Sequence, residues 1–230
     1  ELCDWNWQAA NDAYQKALRL APDNPDVLMA VAGITRIVGG AEAAIELYRR
    51  AIALDPLSSA AHRTLGLRLF LMGRLDEADA MLEIARELNP NAGLVHCFLA
   101  VTRLAQGRTQ EALALARQER LPVFRLLALG VVEHGTGNRA ASDAALHQLA
   151  HEFGDEAGYQ VAILHVYRGE LELAFEWLER AYAQRDPGLV NMAFDAHFKP
   201  LHADPRWRTF MRKMNIAWPR VYRNVLPESR

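Results

Sequence analysis

The chain has 230 residues, 51% of them hydrophobic but only 8% aromatic, so its apolar mass is chiefly Ala and Leu. That is enough for a substantial core, and it favours close-packed helices over a β-sandwich, which draws on Val, Ile, Thr and aromatics. With 26 basic against 28 acidic residues and a net charge of −2, no global field exists to hold a phosphate backbone, which argues against nucleic acid as a partner.

No apolar run approaches the roughly 18 residues of a membrane span, so no membrane partner is expected. Cys3 and Cys97 offer neither metal spacing nor a disulfide framework. The start at Glu1 rather than Met, without a secretory leader, is what an excised domain or processed product would show. The expected compartment is the cytoplasm, or the periplasm where a membrane span precedes Glu1.

The chain-order reading starts with one helix from about Trp5, the second half of a truncated unit. It ends in "ALRLAPDNPD" (17–26), and nearly the same stop and restart occurs at "AIALDPLSSA" (51–60) and "ARELNPNAGL" (85–94). Pro22, Pro56 and Pro90 are spaced 34 residues apart, as are Gly39, Gly73 and Gly107. Ala10, Ala44, Ala78 and Ala112 keep the same period, as do Tyr14, Tyr48 and Leu82, and Ala17, Ala51 and Ala85. A recurring period of this length marks a stacked helical repeat. Each unit is predicted as a first helix ended by glycine, for which a left-handed turn carries no Cβ penalty, and a second helix ended before proline. The first such pair is predicted at Pro25 to about Val38 and about Ala41 to Leu54. Ala32, Gly66 and Ala100 fall mid-way along successive first helices, where small side chains allow close approach.

Past Gln118 the period slips, with 30 residues from Gly107 to Gly137 and 32 from Gly137 to Gly169. The second helix from Thr109 to about Glu119 is short because Pro122 interrupts it. Two further pairs are predicted, Val123 to about Phe153 and Glu156 to about Gln184. In "FKPLHADPRWRTFMRKM" (198–214), Asp204 is an N-cap with Pro205 at the first helical position. Trp207, Phe210, Met211 and Met214 then make one apolar stripe suited to capping the stack. The organisation expected is therefore regular repeats over 1–121, degenerate pairs over 122–186, a cap over 187–216 and a tail over 217–230.

These features resemble the tetratricopeptide repeat. Its small residue mid-way along the first helix is matched by Ala32, Gly66 and Ala100. The alanine early in the second helix is matched by Ala44, Ala78 and Ala112, and its closing alanine and proline by Ala51/Pro56 and Ala85/Pro90. Leu28, His62 and His96 stand where the repeat usually has Trp, and Thr35, Leu69 and Arg103 where it has Tyr. Arg103 departs furthest and predicts weak packing of the fourth unit. The resemblance implies an all-α, right-handed superhelical solenoid of about six antiparallel helix pairs with a C-terminal capping helix. "DWNWQAANDAYQKALRLAP" and "AFEWLERAYAQRDPGLV…FKPLHADPRW" further resemble the tetratricopeptide regions of bacterial multidomain regulators, namely class III adenylate cyclases and winged-helix transcription activators. That would imply a regulatory parent protein.

Such a stack leaves a concave face. By spacing, it carries Met29, Gly33 and Arg36, then Arg63, Leu67 and Phe70, then Cys97, Val101 and Leu104, with Leu94 at its edge. One reading is a groove for a partner's helix or extended segment, with Arg36 and Arg63 selecting an acidic companion. The other is ordinary core, with longer side chains closing the superhelix. Met29, Gly33, Thr64 and Leu94 do not reproduce the Lys, Asn and Arg set of the modules that clamp chaperone tails. From 206 to 230 there are seven basic residues and one acid, Glu228, on an otherwise acidic chain. That end is a solvated tail, or it folds back on the groove of its own or a second copy through Trp218, Val221, Tyr222 and Val225.

Chemistry is sparse. "GTGNRAASD" (135–143) has no lysine to hold a phosphate and no preceding strand, and no serine sits in a nucleophile elbow. His147 and His151, one helical turn apart and followed by Glu152 and Asp155, fall short of the three or four converging ligands that zinc wants. His197 and His202 beside Asp195 read the same way, and Cys97 lacks a base at helical spacing. The function expected is non-catalytic recognition of a protein or peptide segment, without cofactor. The alternative is a repeat domain that senses a small ligand and controls an attached cyclase or DNA-binding domain.

Overall fold

The computed structural model describes residues 7–38 and 40–215. Trp5, Gly39, Cys3 and the tail, on which parts of the sequence reading rest, lie outside these residues. Among them the chain is all helical. The order is α1 (Trp7–Leu20), α2 (Pro25–Val38), α3 (Ala41–Leu54), α4 (Ser59–Leu71), α5 (Leu75–Leu88) and α6 (Val95–Ala105). There follow α7 (Thr109–Gln118), α8 (Pro122–Gly135), α9 (Arg139–Phe153), α10 (Gly158–Tyr167) and α11 (Leu171–Gln184). Two 3₁₀ turns, Pro187–Phe194 and Ala196–Leu201, lead into α12 (Pro205–Lys213). Helices α2 and α3, α4 and α5, α6 and α7, α8 and α9, and α10 and α11 pair as hairpins, and α6, α8 and α10 lie against one another in turn. This is a solenoid of stacked helix pairs.

The turn inside each pair repeats at atomic detail. Arg74 N–H donates to Leu69 O at 2.9 Å and Gly73 N–H to Phe70 O at 2.9 Å, and the same two bonds close α6 from Arg108 to Arg103 and from Gly107 to Leu104. This six-to-one closure needs a residue with positive φ, supplied by Gly73 (75°) and Gly107 (77°). A Cβ on either glycine would meet nothing within 4 Å, so backbone conformation and not space demands glycine there. Asn138 and Glu170 close α8 and α10 in the same way, onto Glu133 and His165, although the sequence period has slipped by then. The linkers between pairs obey proline: Asp55 and Asn89, preceding Pro56 and Pro90, adopt ψ of 82° and 90° and stop their helices.

Packing explains the small residues. Ala32 and Ala100 are fully buried, and a Cβ on Gly66 would stand 2.6 Å from Leu82 Cγ, so only glycine lets α4 approach α5 this closely. Arg103, expected to weaken the fourth unit, instead holds it to the third. Its buried guanidinium pairs with Asp79 at 3.0 Å, Glu111 at 3.4 Å and Glu83. Three carboxylates converging from α5 and α7 satisfy the charge that an apolar reading of that position would call a misfit. At the far end, Asp204 Oδ1 accepts from Arg206 N–H at 2.8 Å to cap α12, and Trp207, Phe210, Met211 and Met214 are all buried against the last pair.

Candidate functional site

The concave side of the stack is built from the first helix of each pair, and its shape is decided by the segment 187–201, a strap that lies across it. Asp186 starts the strap: Oδ2 accepts the Tyr159 N–H at 2.9 Å at the head of α10, while Oδ1 accepts Gly188 N–H at 2.7 Å. Burial pushes the Asp186 carboxyl up, and those two N–H bonds oppose it. The strap then crosses to helices far away in sequence. Arg36 of α2 donates to Val190 O at 3.4 Å and Arg68 of α4 to Asn191 Oδ1 at 3.3 Å. His197 packs against the rings of Phe70, at 5.4 Å, and Tyr167, at 5.1 Å. Leu189, Met192, Phe198 and Leu201 are fully buried. At roughly 1.5–3 kcal/mol for each such side chain, the strap is a fixed part of the core.

Asp195 organises the strap's middle. Its Oδ2 accepts from Tyr159 OH at 2.6 Å, and its Oδ1 accepts His197 N–H at 3.0 Å and lies 2.5 Å from His197 Nδ1. Burial opposes ionisation of Asp195, yet the His197 charge and the bonds from His197 and Tyr159 outweigh it and hold the carboxyl below its usual range. Burial, and then Asp195, raises the Tyr159 phenol well above its ordinary value. Buried Arg36 is lowered to about 9, by desolvation first and by the neighbouring Arg68 guanidinium second.

Between the strap and the helices remains a cavity of about 390 Å³. α4 supplies Arg63, Thr64, Leu67 and Arg68; α6 supplies Cys97, Phe98 and Val101 behind Leu94. α8 and α10 close it with Phe124, Leu127, Gln160 and Ile163, and the strap with Gly188, Asn191 and Asp195. Glu119, fully buried, fixes the wall at α6: its carboxylate accepts Cys97 N–H at 3.1 Å and Leu121 N–H at 3.0 Å. It caps a helix whose own N-cap, Leu94, sits at φ 76° and has no side chain able to do so. Arg63 donates to Gly93 O at 3.0 Å and ties α4 to the same corner.

Of the residues expected on the concave face, the structure brings Arg63, Leu67, Leu94, Cys97 and Val101 together at this cavity. Arg36 and Phe70 are buried and engaged by the strap. Met29 and Leu104 are half-buried, packed against the core, Leu104 next to Gly135. Burial, then Glu119, pushes the Cys97 thiol far above its ordinary value, so it packs as a small apolar group. The tail residues offered as groove occupants lie outside the described residues. His147 and His151 are exposed, their rings stacked 6.0 Å apart, and among the described residues no group of three or more His, Cys, Asp or Glu could hold a metal. Sequence reasoning missed Arg68, Gln160, Asn191 and the Tyr159–Asp195–His197 network. The one legible hint was Asp195 two residues before His197.

Repeated hairpins, glycine turns and small-residue contacts together give a tetratricopeptide-like arrangement of stacked helices. Residues 25–128 match the family model described as tetratrico peptide repeat. Among solved structures the chain is similar to PilW, a type IV pilus biogenesis factor, at 17% identity, covering 85% of this chain and 90% of that one with a TM-score of 0.59. It is also similar to a tetratricopeptide repeat protein from Parabacteroides merdae, at 15% identity with coverage of 92% and 93% and a TM-score of 0.56. A third, YrrB, described as having an unusual peptide-binding site, shares 17% identity over 78% of this chain and 96% of its own, with a TM-score of 0.50. Identities this low carry the fold alone. No curated protein matches the chain significantly. No helix among the described residues is long and apolar enough to cross a membrane.

Proposed function

We propose that this chain is a non-catalytic interaction module that receives a short segment of a partner protein at the concave cavity. The observation that carries this reading is the convergence of Arg63, Leu67, Leu94 and Val101 on one cavity, walled by helices whose positions are fixed by their own core. Rigid walls reduce the ordering cost of binding, and a structurally similar repeat protein is described as having a peptide-binding site. The wording of the chain's two ends supports placing the module beside an effector domain in a bacterial signalling or transcription regulator. Peptides selected from a displayed random library on the full chain test the reading. Enriched peptides should bind Leu67→Asp and Arg63→Glu at least tenfold more weakly and Leu20→Asp, at the exposed end of α1, unchanged. Equal binding to all three would refute it.

A second reading, that the cavity senses a small effector, is favoured by the strap that bounds it on one side. The strap crosses the concave face at Val190 and Asn191, where an extended segment would otherwise run along α2 and α4.

A further inference from the structure

Charge inside the cavity is not balanced. Arg63 and Arg68 line it as cations, and Asp195 is the one carboxylate among the lining residues. Both Asp195 oxygens are already engaged by Tyr159 and His197. Arg63 has Glu119 nearby to offset it. Arg68 has no such compensation: no carboxylate lies within ion-pair distance of it among the described residues, and its terminal nitrogen meets the neutral amide of Asn191 at 3.3 Å. Its Nε is buried without any hydrogen-bond partner. A buried donor on a charged group left unmet is costly, and a second guanidinium, Arg36, stands close enough to repel it.

We propose that the cavity is a binding site for a small monocarboxylate with an apolar body, its carboxylate held by Arg68 and its body seated among the cavity's leucines and phenylalanines. This rests on the sensing reading and adds the ligand's chemical class. A guanidinium fork presents parallel N–H donors that match a carboxylate. Glu119 offsets Arg63 and Asp195 is paired with His197, so a single negative charge matches the one lining cation left uncompensated, Arg68. The body has to be apolar because the wall is mainly apolar, with Leu67, Phe98, Val101, Phe124, Leu127 and Ile163 among its residues. The volume, about 390 Å³, lies in the range of compact ligand sites.

Calorimetric titration of the full chain with octanoate and, separately, with octan-1-ol tests the proposal. Octanoate is expected to bind with Kd below about 1 mM and octan-1-ol at least tenfold more weakly. Arg68→Gln should reduce octanoate affinity at least tenfold while leaving octan-1-ol unchanged, and Leu67→Trp, which fills the cavity, should abolish both. If the acid and the alcohol bind equally, the cavity takes ligands but the carboxylate assignment is overturned. If neither binds at 5 mM or so, the sensing reading falls with it. Should Arg68→Gln fail to fold, the comparison of acid with alcohol on the unsubstituted chain still decides.

Discussion

Arg103 shows how a residue that breaks a repeat's pattern can still hold the repeat together. Its side chain is 11% exposed, and Asp79, Glu83 and Glu111 all lie within ion-pair distance. Removing it leaves carboxylates crowded together in a half-dry seam, so we expect Arg103→Met to cost about 2–4 kcal/mol in urea unfolding. Adding Asp79→Asn should recover part of that loss; a pair of strictly additive costs would show that the seam is not a network. His202 carries the pH dependence at this scale. Packed against the Trp207 ring at 4.8 Å with the planes tilted by 38°, it is lowered from 6.5 to about 4 by burial and then by the Lys199 charge. The unfolded chain therefore takes up the proton first, so stability present at neutral pH drains away between about pH 6.5 and 4, and this group contributes no further loss below that. Burial lowers His96 and His165 as well, which adds in the same direction. The melting temperature should fall across that window, and His202→Phe, which keeps the ring contact with Trp207, should flatten the fall. An unchanged slope would assign the acid sensitivity elsewhere.

At the scale of elements, two glycines with one sequence role each are constrained for different reasons. Gly66→Ala drives a Cβ to 2.6 Å from Leu82 Cγ, a packing clash between α4 and α5, and we expect about 1–3 kcal/mol of destabilisation. Gly73→Ala meets no atom but must hold φ at 75°, costing about 1 kcal/mol. A second substitution separates them: Leu82→Ala should relieve the first cost and leave the second untouched, as read by a double-mutant cycle. The cap that Glu119 lends to α6 belongs here too. Glu119→Ala strips the acceptor from the Cys97 N–H in the first turn of α6 and from the Leu121 N–H just ahead of α8, and about 1–2 kcal/mol should be lost. Pro22, Pro56 and Pro90 announced the helix ends plainly, since the restriction acts on the adjacent residue. Nothing local announced that a glutamate beyond α7 would cap α6, because the pair is 22 residues apart.

For the whole molecule, the strap changes what kind of object the repeat stack is. A plain solenoid has only neighbour contacts and unfolds by fraying from its ends. Here residue 36 bonds residue 190, and Leu189, Met192, Phe198 and Leu201 share one core with residues of every helix from α1 to α12 except α7. We expect a single unfolding transition, with far-UV circular dichroism and Trp207 fluorescence coinciding, measured on a variant in which Trp5, Trp7, Trp177 and Trp218 are replaced by Phe. Two separated transitions would show that the strap does not couple the ends. Met192→Ala should cost about 2–5 kcal/mol because the side chain is fully enclosed.

By itself the sequence determined the period, the helix pairs, their glycine and proline boundaries, the close-packing small residues and the capping stripe of α12. Each of these depends on the conformational limits of one residue or on spacings within a few helical turns. It also placed Arg63, Leu67, Cys97 and Val101 on the inner side, since helical spacing alone fixes which face they share. Only the tertiary structure decided that 187–201 returns across that face, burying Arg36 and Phe70 and leaving Arg68 with no carboxylate in ion-pair distance among the described residues. The strap's path follows from contacts between residues more than a hundred positions apart, and no local propensity encodes such contacts.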